Sequence, residues 1–161
     1  MPKKISLISS VCVVVSFFVL ILILLHNSSI SPKHIKYVQI GDVKVKVELA
    51  LTKEAQEQGL SGRSGLKDDT GMLFVFSYPD KYYFWMKDMH FPIDILWLVP
   101  TEGGVGLGED QRIIYIKKNA QPETYLETFG PDQNTKYVLE VNAGFSDMYN
   151  LKVGDKVLFT Y

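Results

Sequence analysis

Three acids, one arginine and a block of aromatic residues are the side chains whose types and spacing could do chemistry. Asp94 sits in Pro92-Ile93-Asp94-Ile95-Leu96-Trp97-Leu98, a carboxylate within an otherwise apolar stretch. Burying such a group alone is expensive, so it must pair or accept hydrogen bonds. Arg63, in the glycine-rich Gly59-Leu60-Ser61-Gly62-Arg63-Ser64-Gly65, is the expected partner. An Arg63–Asp94 pair could bind a carboxylate or assist acid–base work, or it could lock a loop against the body of the fold. The structural role is the simpler of the two. Asp88 stands near the aromatic block. Glu140, in Tyr137-Val138-Leu139-Glu140-Val141, has the opposite strand parity from Val141 and is expected to face solvent or cap a loop. His90 with Asp88 and Asp94 could be drawn as a metal trio, but the spacing matches no ligand pattern. No metal or other cofactor is expected.

The aromatic block is the densest feature. Nine of the 20 aromatic residues fall between Phe74 and Trp97. On strands they could line an apolar groove, stack on a sugar ring or receive a peptide. As structure they would be the core and cross-strand ladder of a barrel. Strand faces alternate, so some of Tyr82, Tyr83, Phe84 and Trp85 must point outward. Exposed aromatics with Arg63, Asp88 and Asp94 at the loop rim form the candidate ligand-binding set, with Trp85 as its aromatic member.

Other chemistries find less support. There is no Gly-x-Ser-x-Gly elbow of a serine hydrolase. Gly103-Gly104-Val105-Gly106-Leu107-Gly108 lacks the Lys-Ser/Thr ending of a phosphate loop and is read as a hairpin tip. With 17 basic against 18 acidic residues, no strong positive field is available for nucleic acid. The single cysteine, Cys12, excludes an internal disulfide and any thiolate cluster.

Strands must position these residues. Val43, Val45, Val47 and Leu49 alternate with Lys44, Lys46 and Glu48, the period of a half-buried strand. Gly41-Asp42 joins it to His34–Ile40 as a hairpin. Thr52 is placed to cap a short helix ending before Gly59. Further strands are expected at Gly71–Phe76, Tyr82–Met86, Ile93–Val99, Arg112–Lys118, Lys136–Asn142 and Lys156–Thr160. Phe145–Leu151 suits a helical turn, and Val153-Gly154-Asp155 a tight turn. About eight short strands with one or two short helices predict a mainly-β barrel or sandwich.

The N-terminus is a different object. Lys3 and Lys4 precede 21 uncharged residues, Ile5–Leu25. As a helix this run would rise roughly 30 Å, the thickness of the hydrocarbon core of a bilayer. A cleaved signal has a shorter apolar region and a small-x-small cleavage site, which is missing here. The reading is therefore a signal anchor over residues 1–26, a tether over 27–33 and an exported mainly-β domain over 34–161. The basic start places that domain outside the cytoplasm, at a single-pass cell-membrane anchor. Secretion after cleavage is the alternative. Without Lys3 and Lys4, the exterior keeps 15 basic and 18 acidic residues, a net charge of −3.

Several runs together are similar to one group, domain of unknown function 192, also called uncharacterised protein family 0127. They are Gly59-Leu60-Ser61-Gly62-Arg63 with Leu66, Gly71-Met72-Leu73-Phe74-Val75-Phe76, and Phe84-Trp85-Met86-Lys87-Asp88. Pro92-Ile93-Asp94-Ile95, Val138-Leu139-Glu140 with Ala143-Gly144, and Gly154-Asp155 complete the set over about residues 38–160. Two positions depart from the family pattern. Ser61 stands where Met is usual, and Asp88-Met89 where Asn-Thr is usual. Pro100–Gln111 resembles an insertion. The resemblance implies a compact mainly-β domain, often exported, and no established activity. The leading expectation is a binding module for a ligand or envelope protein, with no nucleic-acid partner. An envelope enzyme using Asp94, Asp88 and Arg63, and a structural accessory domain, are the alternatives. Binding is favoured over catalysis.

Overall fold

Gly41 adopts φ +57°, the left-handed conformation that lets the chain reverse between β1 (Tyr37–Ile40) and β2 (Val43–Ala50). The two strands pair antiparallel, with Val38 opposite Val45 and Ile40 opposite Val43. The alternation of β2 therefore holds, with Val43 and Val45 buried between exposed lysines. The computed structural model describes residues 13–20, 32–101 and 110–161.

Thr52 caps the helix α1 (Lys53–Gln58) by accepting the Ala55 N–H at 3.2 Å. Gly59 ends it, as expected. Helix and loop carry the chain across to β3 (Thr70–Asp80), which pairs parallel with β2. The remaining strands are β4 (Ile93–Pro100), β5 (Asp110–Ala120), β6 (Thr135–Asn142) and β7 (Lys156–Thr160), with a helical turn α2 (Phe145–Met148) before the last. The sheet closes as a barrel in the order β1-β2-β3-β6-β4-β5-β7. All neighbouring pairs other than β2–β3 are antiparallel.

Seven strands build the barrel, not eight. Tyr82–Met86 is not a strand; its bridge, Phe84 to Phe129, is to another segment outside the barrel strands. Two of its aromatics, Tyr82 and Phe84, are committed to packing on the outside of the barrel.

The barrel interior is mostly aliphatic, filled by Val38, Ile40, Leu73, Leu96, Leu139 and Val157 with the aromatic Tyr137 and Phe159, among others. A second apolar cluster lies on the outer face of β3, β4 and β6, where Phe74, Ile95, Trp97 and Val138 are covered by Leu60, Met86 and Met89. Gly71–Phe76, Ile93–Leu98 and Tyr137–Val141 are consequently buried at every position. A strand buried on both faces reads as a near-continuous apolar run, and these three do, interrupted only by Asp94 in β4 and Glu140 in β6.

Contacts divide the chain into Met1–Ser31 and Pro32–Tyr161. Residues 13–20 are helical, and their apolar side chains, Phe17 and Phe18 included, are exposed. No helix among the described residues is long and apolar enough to cross a membrane. The rest of the expected anchor, most of the tether and the glycine-rich tip at Gly103–Gly108 lie outside the described residues.

Candidate functional site

The alternation of β6 turns Tyr137, Leu139 and Val141 into the barrel and sends Val138 and Glu140 outward. Outward is not solvent here. Glu140 lies between Met72 of β3 and Ile95 of β4, beneath the second apolar layer, and is only 5 % exposed. The solvent-facing expectation for Glu140 is thus corrected: its parity was right, but another layer of chain covers that face. Its Oε2 is buried without a hydrogen-bond partner. Burial pushes the carboxyl from the ordinary 4.5 up to about 8, and the nearby Arg63 guanidinium pulls it only partway back.

A cavity of about 290 Å³ opens over this carboxyl, between the end of α1 and the Tyr82–Trp85 segment. Gly59 makes the space. Its backbone (φ +50°, ψ −132°) suits glycine alone, and a Cβ there would stand 3.3 Å from Phe74 Cζ and 3.9 Å from Glu140 Oε2. Three polar side chains around the cavity, Gln56, Gln58 and Ser61, are engaged with backbone carbonyls. Gln56 Nε2 donates to Ala50 and Val75 at 3.2 and 3.0 Å, Gln58 Nε2 to Ser61 at 2.8 Å, and Ser61 Oγ to Lys87 at 2.7 Å. Lys53 and Glu57, at the rim, pair with each other at 3.6 Å and are exposed.

The aromatic wall is held by its own geometry. Phe84 meets Phe74 edge-on at 4.8 Å and Trp97 at 5.7 Å. Phe76 and Tyr82 stack with rings 8° from parallel. Backbone bonds between Phe84 and Phe129, 2.8 and 2.7 Å, and the Trp97 indole N–H donating to the Tyr82 carbonyl at 2.8 Å fix the segment in place. Tyr82 and Phe84 point down while Tyr83 and Trp85, each 53 % exposed, stand at the mouth. The expected outward aromatics are these two.

Arg63 and Asp94 are not brought together. Arg63 instead forms a bidentate pair with Glu48 of β2, both bonds 2.8 Å. The hydrogen bonds lower the Glu48 pKa and raise that of Arg63. Glu48, Met72 and Glu140 occupy one row across β2, β3 and β6. That register, invisible from sequence spacing, gives Arg63 its partner.

Asp94 is fully buried and served by backbone. Its Oδ1 accepts the N–H groups of Asn119 (2.8 Å) and Gly144 (3.3 Å), and its Oδ2 accepts that of Ser146 (2.8 Å). Asn119 (φ +49°) and Gly144 (φ +83°) are both left-handed, so Asp94 pins two reversed segments to β4. Asp88 is exposed with φ +54°, and its carbonyl accepts the Gly62 N–H at 2.8 Å. It ties the Trp85 segment to the loop after α1. Among the described residues, no three metal-ligating side chains cluster.

Of the residues expected at the site, Trp85 lines the cavity. Arg63 acts on it electrostatically, Asp88 holds its rim, and Asp94 lies elsewhere. Glu140 was missed. One signal could have found it: Val138, its same-face neighbour, is as apolar as the inward residues, marking β6 as covered on both faces.

The model of a family described as "Uncharacterized ACR" (DUF192) matches residues 36–159. A crystal structure of a protein of unknown function from Novosphingobium aromaticivorans is similar, with 32 % identity and TM-score 0.65, covering 76 % of this chain and 84 % of that one. A Sinorhizobium meliloti protein described as a "putative transcription regulator" has 28 % identity and TM-score 0.64, covering 76 % of this chain and 90 % of that one. No curated protein matches the chain.

Proposed function

Since the chain belongs to the DUF192 family, described as uncharacterized, we propose a function from the site itself: a binding module that takes a small ligand in the cavity over Glu140. One observation carries this reading. A carboxyl oxygen without a partner is buried at an aromatic-walled cavity where Gln56, Gln58 and Ser61 are engaged by backbone carbonyls and Lys53 pairs with Glu57. Proteins seldom leave a buried polar atom unsatisfied, and an exception needs an occupant or a role. At about 290 Å³ the space is at the lower end for ligand sites, which favours a compact molecule. Trp85 and Tyr83 would close over it. Arg63 and Asp88 would support the rim, and Asp94 the strand beneath.

The enzyme alternative loses its proposed trio, because Asp94 is saturated by backbone and Arg63 by Glu48. The regulator description of one relative gains no support from a balance of 17 basic and 18 acidic residues.

Trp85 fluorescence reads this reading out in the full chain, since Trp97 is buried and the chain has two tryptophans. Small amphiphilic compounds should quench it, and calorimetry, which needs no fluorophore, should show Trp85→Ala weakening their binding about tenfold, the worth of one aromatic contact. Compounds that bind equally well to the variant would place the ligand elsewhere and overturn the proposal.

The uncharged run Ile5–Leu25, with its exposed helical stretch at residues 13–20, supports an anchor that holds the module outside the cytoplasm, facing ligands or envelope proteins. A Ser31→Cys chain in a Cys12→Ser background should react with a membrane-impermeant maleimide on intact cells. Reaction only after the cells are opened would reverse the topology.

A further inference from the structure

The ligand's chemistry can be narrowed from what the cavity offers, resting on the binding-module reading. We propose that the cavity binds a small organic ammonium, its nitrogen paired with Glu140 and its apolar part against the aromatic wall.

The geometry supports this by elimination. Glu140 Oε2 has no partner, and an ionised carboxylate only accepts hydrogen bonds, so its natural complement is a charged donor. Among the described residues, no uncommitted lysine or arginine lines the cavity to hold an anion; Lys87, outside the lining, sits 5.9 Å from the centre of the Trp85 ring. Arg63 is engaged bidentately by Glu48, and Lys53 is opposed by Glu57. The walls are the aromatic residues Phe74, Phe76 and Tyr82 to Trp85, and aromatic faces attract cations, more strongly where water is excluded. Gly59 keeps the approach to Oε2 open, where any side chain would narrow it.

Proton bookkeeping follows. The charged group that acts on Glu140 is Arg63 with its partner Glu48; Lys53, Glu57 and Tyr83 line the same cavity, the Tyr82 hydroxyl donates to the Tyr78 carbonyl at 2.8 Å, and β3 and β4 contribute the apolar Met72, Phe74 and Ile95. Below about pH 8 the carboxyl holds a proton. A ligand that arrives as an ammonium keeps its own protons, so the Glu140 proton leaves to water. Binding and proton release are coupled one to one.

Phenethylammonium, with 2-phenylethanol as its neutral counterpart, tests this by calorimetry on the full chain in mild detergent. The ammonium should bind at least about tenfold more tightly than the alcohol near pH 8. Its affinity should fall about tenfold per pH unit below that, with one proton released. Glu140→Gln, which preserves shape and removes the buried charge, should abolish both the preference and the pH dependence. Equal binding of amine and alcohol, or affinity flat with pH, overturns the ammonium assignment while leaving the binding module standing. Binding of neither probe also overturns it, and the module reading then stands or falls on the Trp85 comparison. An undiminished ammonium preference in Glu140→Gln overturns the role of that residue.

Discussion

Asp94→Ala should abolish stable folding of the barrel at neutral pH. The substitution removes the acceptor of three backbone N–H groups, those of Asn119, Gly144 and Ser146, around a side chain with no solvent exposure. A buried donor left unsatisfied costs about 1–3 kcal/mol, so three amount to several kcal/mol. Whole domains are stable by only about 5–15 kcal/mol, and here two of the orphaned groups belong to left-handed residues that the carboxylate helps to hold. Asp94→Asn should be intermediate. It retains one carbonyl oxygen but turns an amide NH2 toward donors, for a loss of about 2 kcal/mol or more. Urea unfolding followed by far-UV circular dichroism measures both. A midpoint for Asp94→Ala close to that of the parent would show that the N–H groups find other acceptors and that Asp94 is free for another role.

Stability should fall as pH rises from about 4.5 to about 8, and Glu140 should be the cause. Its carboxyl is raised by burial from 4.5 to about 8. The folded chain therefore holds a proton that the unfolded chain has already released in this window. A group shifted up stabilises fully below its unfolded pKa, and that stabilisation is lost as pH climbs to the folded value. Each unit of difference corresponds to about 1.4 kcal/mol, so the full effect is several kcal/mol, large against the total. Glu48 works in the opposite sense. The Arg63 hydrogen bonds lower its pKa, so its contribution is present above the unfolded value and lost on acidification. The cleaner window is consequently from about pH 6 to 8. Glu140→Gln should flatten the profile there and overtake the parent on the alkaline side, despite a pH-independent cost of about 1–2 kcal/mol for burying the amide. Parallel curves for parent and variant would mean that Glu140 ionises normally and that the cavity is wetter than its lining implies.

These two acids show how far the sequence reaches. Asp94 was recognisable as needing a partner, because a carboxylate among Ile93, Ile95 and Leu96 has no other way to be buried. Its partners were not recognisable, since they are backbone N–H groups of Asn119, Gly144 and Ser146, and side-chain identity carries no trace of them. The Arg63–Asp94 pairing failed for a related reason. Charge complementarity says that an arginine wants a carboxylate, not which one; β2 running parallel to β3 put Glu48 within 2.8 Å. Tyr82–Met86 misled because aromatic residues favour strands and equally favour packing flat on one. Their alternation was correct even where the strand was not, with Tyr83 and Trp85 outward and Tyr82 and Phe84 inward.

What the sequence determined by itself was local. Alternation along β2, the Thr52 cap, the Gly59 stop, the Gly41 turn and the apolar runs of β3, β4 and β6 are each written in neighbouring residues, because backbone sterics and side-chain period act over a few positions. The seven-strand closure, the adjacency of β3, β6 and β4, and the aromatic layer over their outer face were decided only in three dimensions. Glu140 falls between the two. Residues 137–141 set which way it points, and Leu60, Phe74 and the Tyr82–Trp85 segment, distant in the chain, decide that it points into an aromatic-walled cavity. A strand's period chooses a face; only the folded chain decides what covers it.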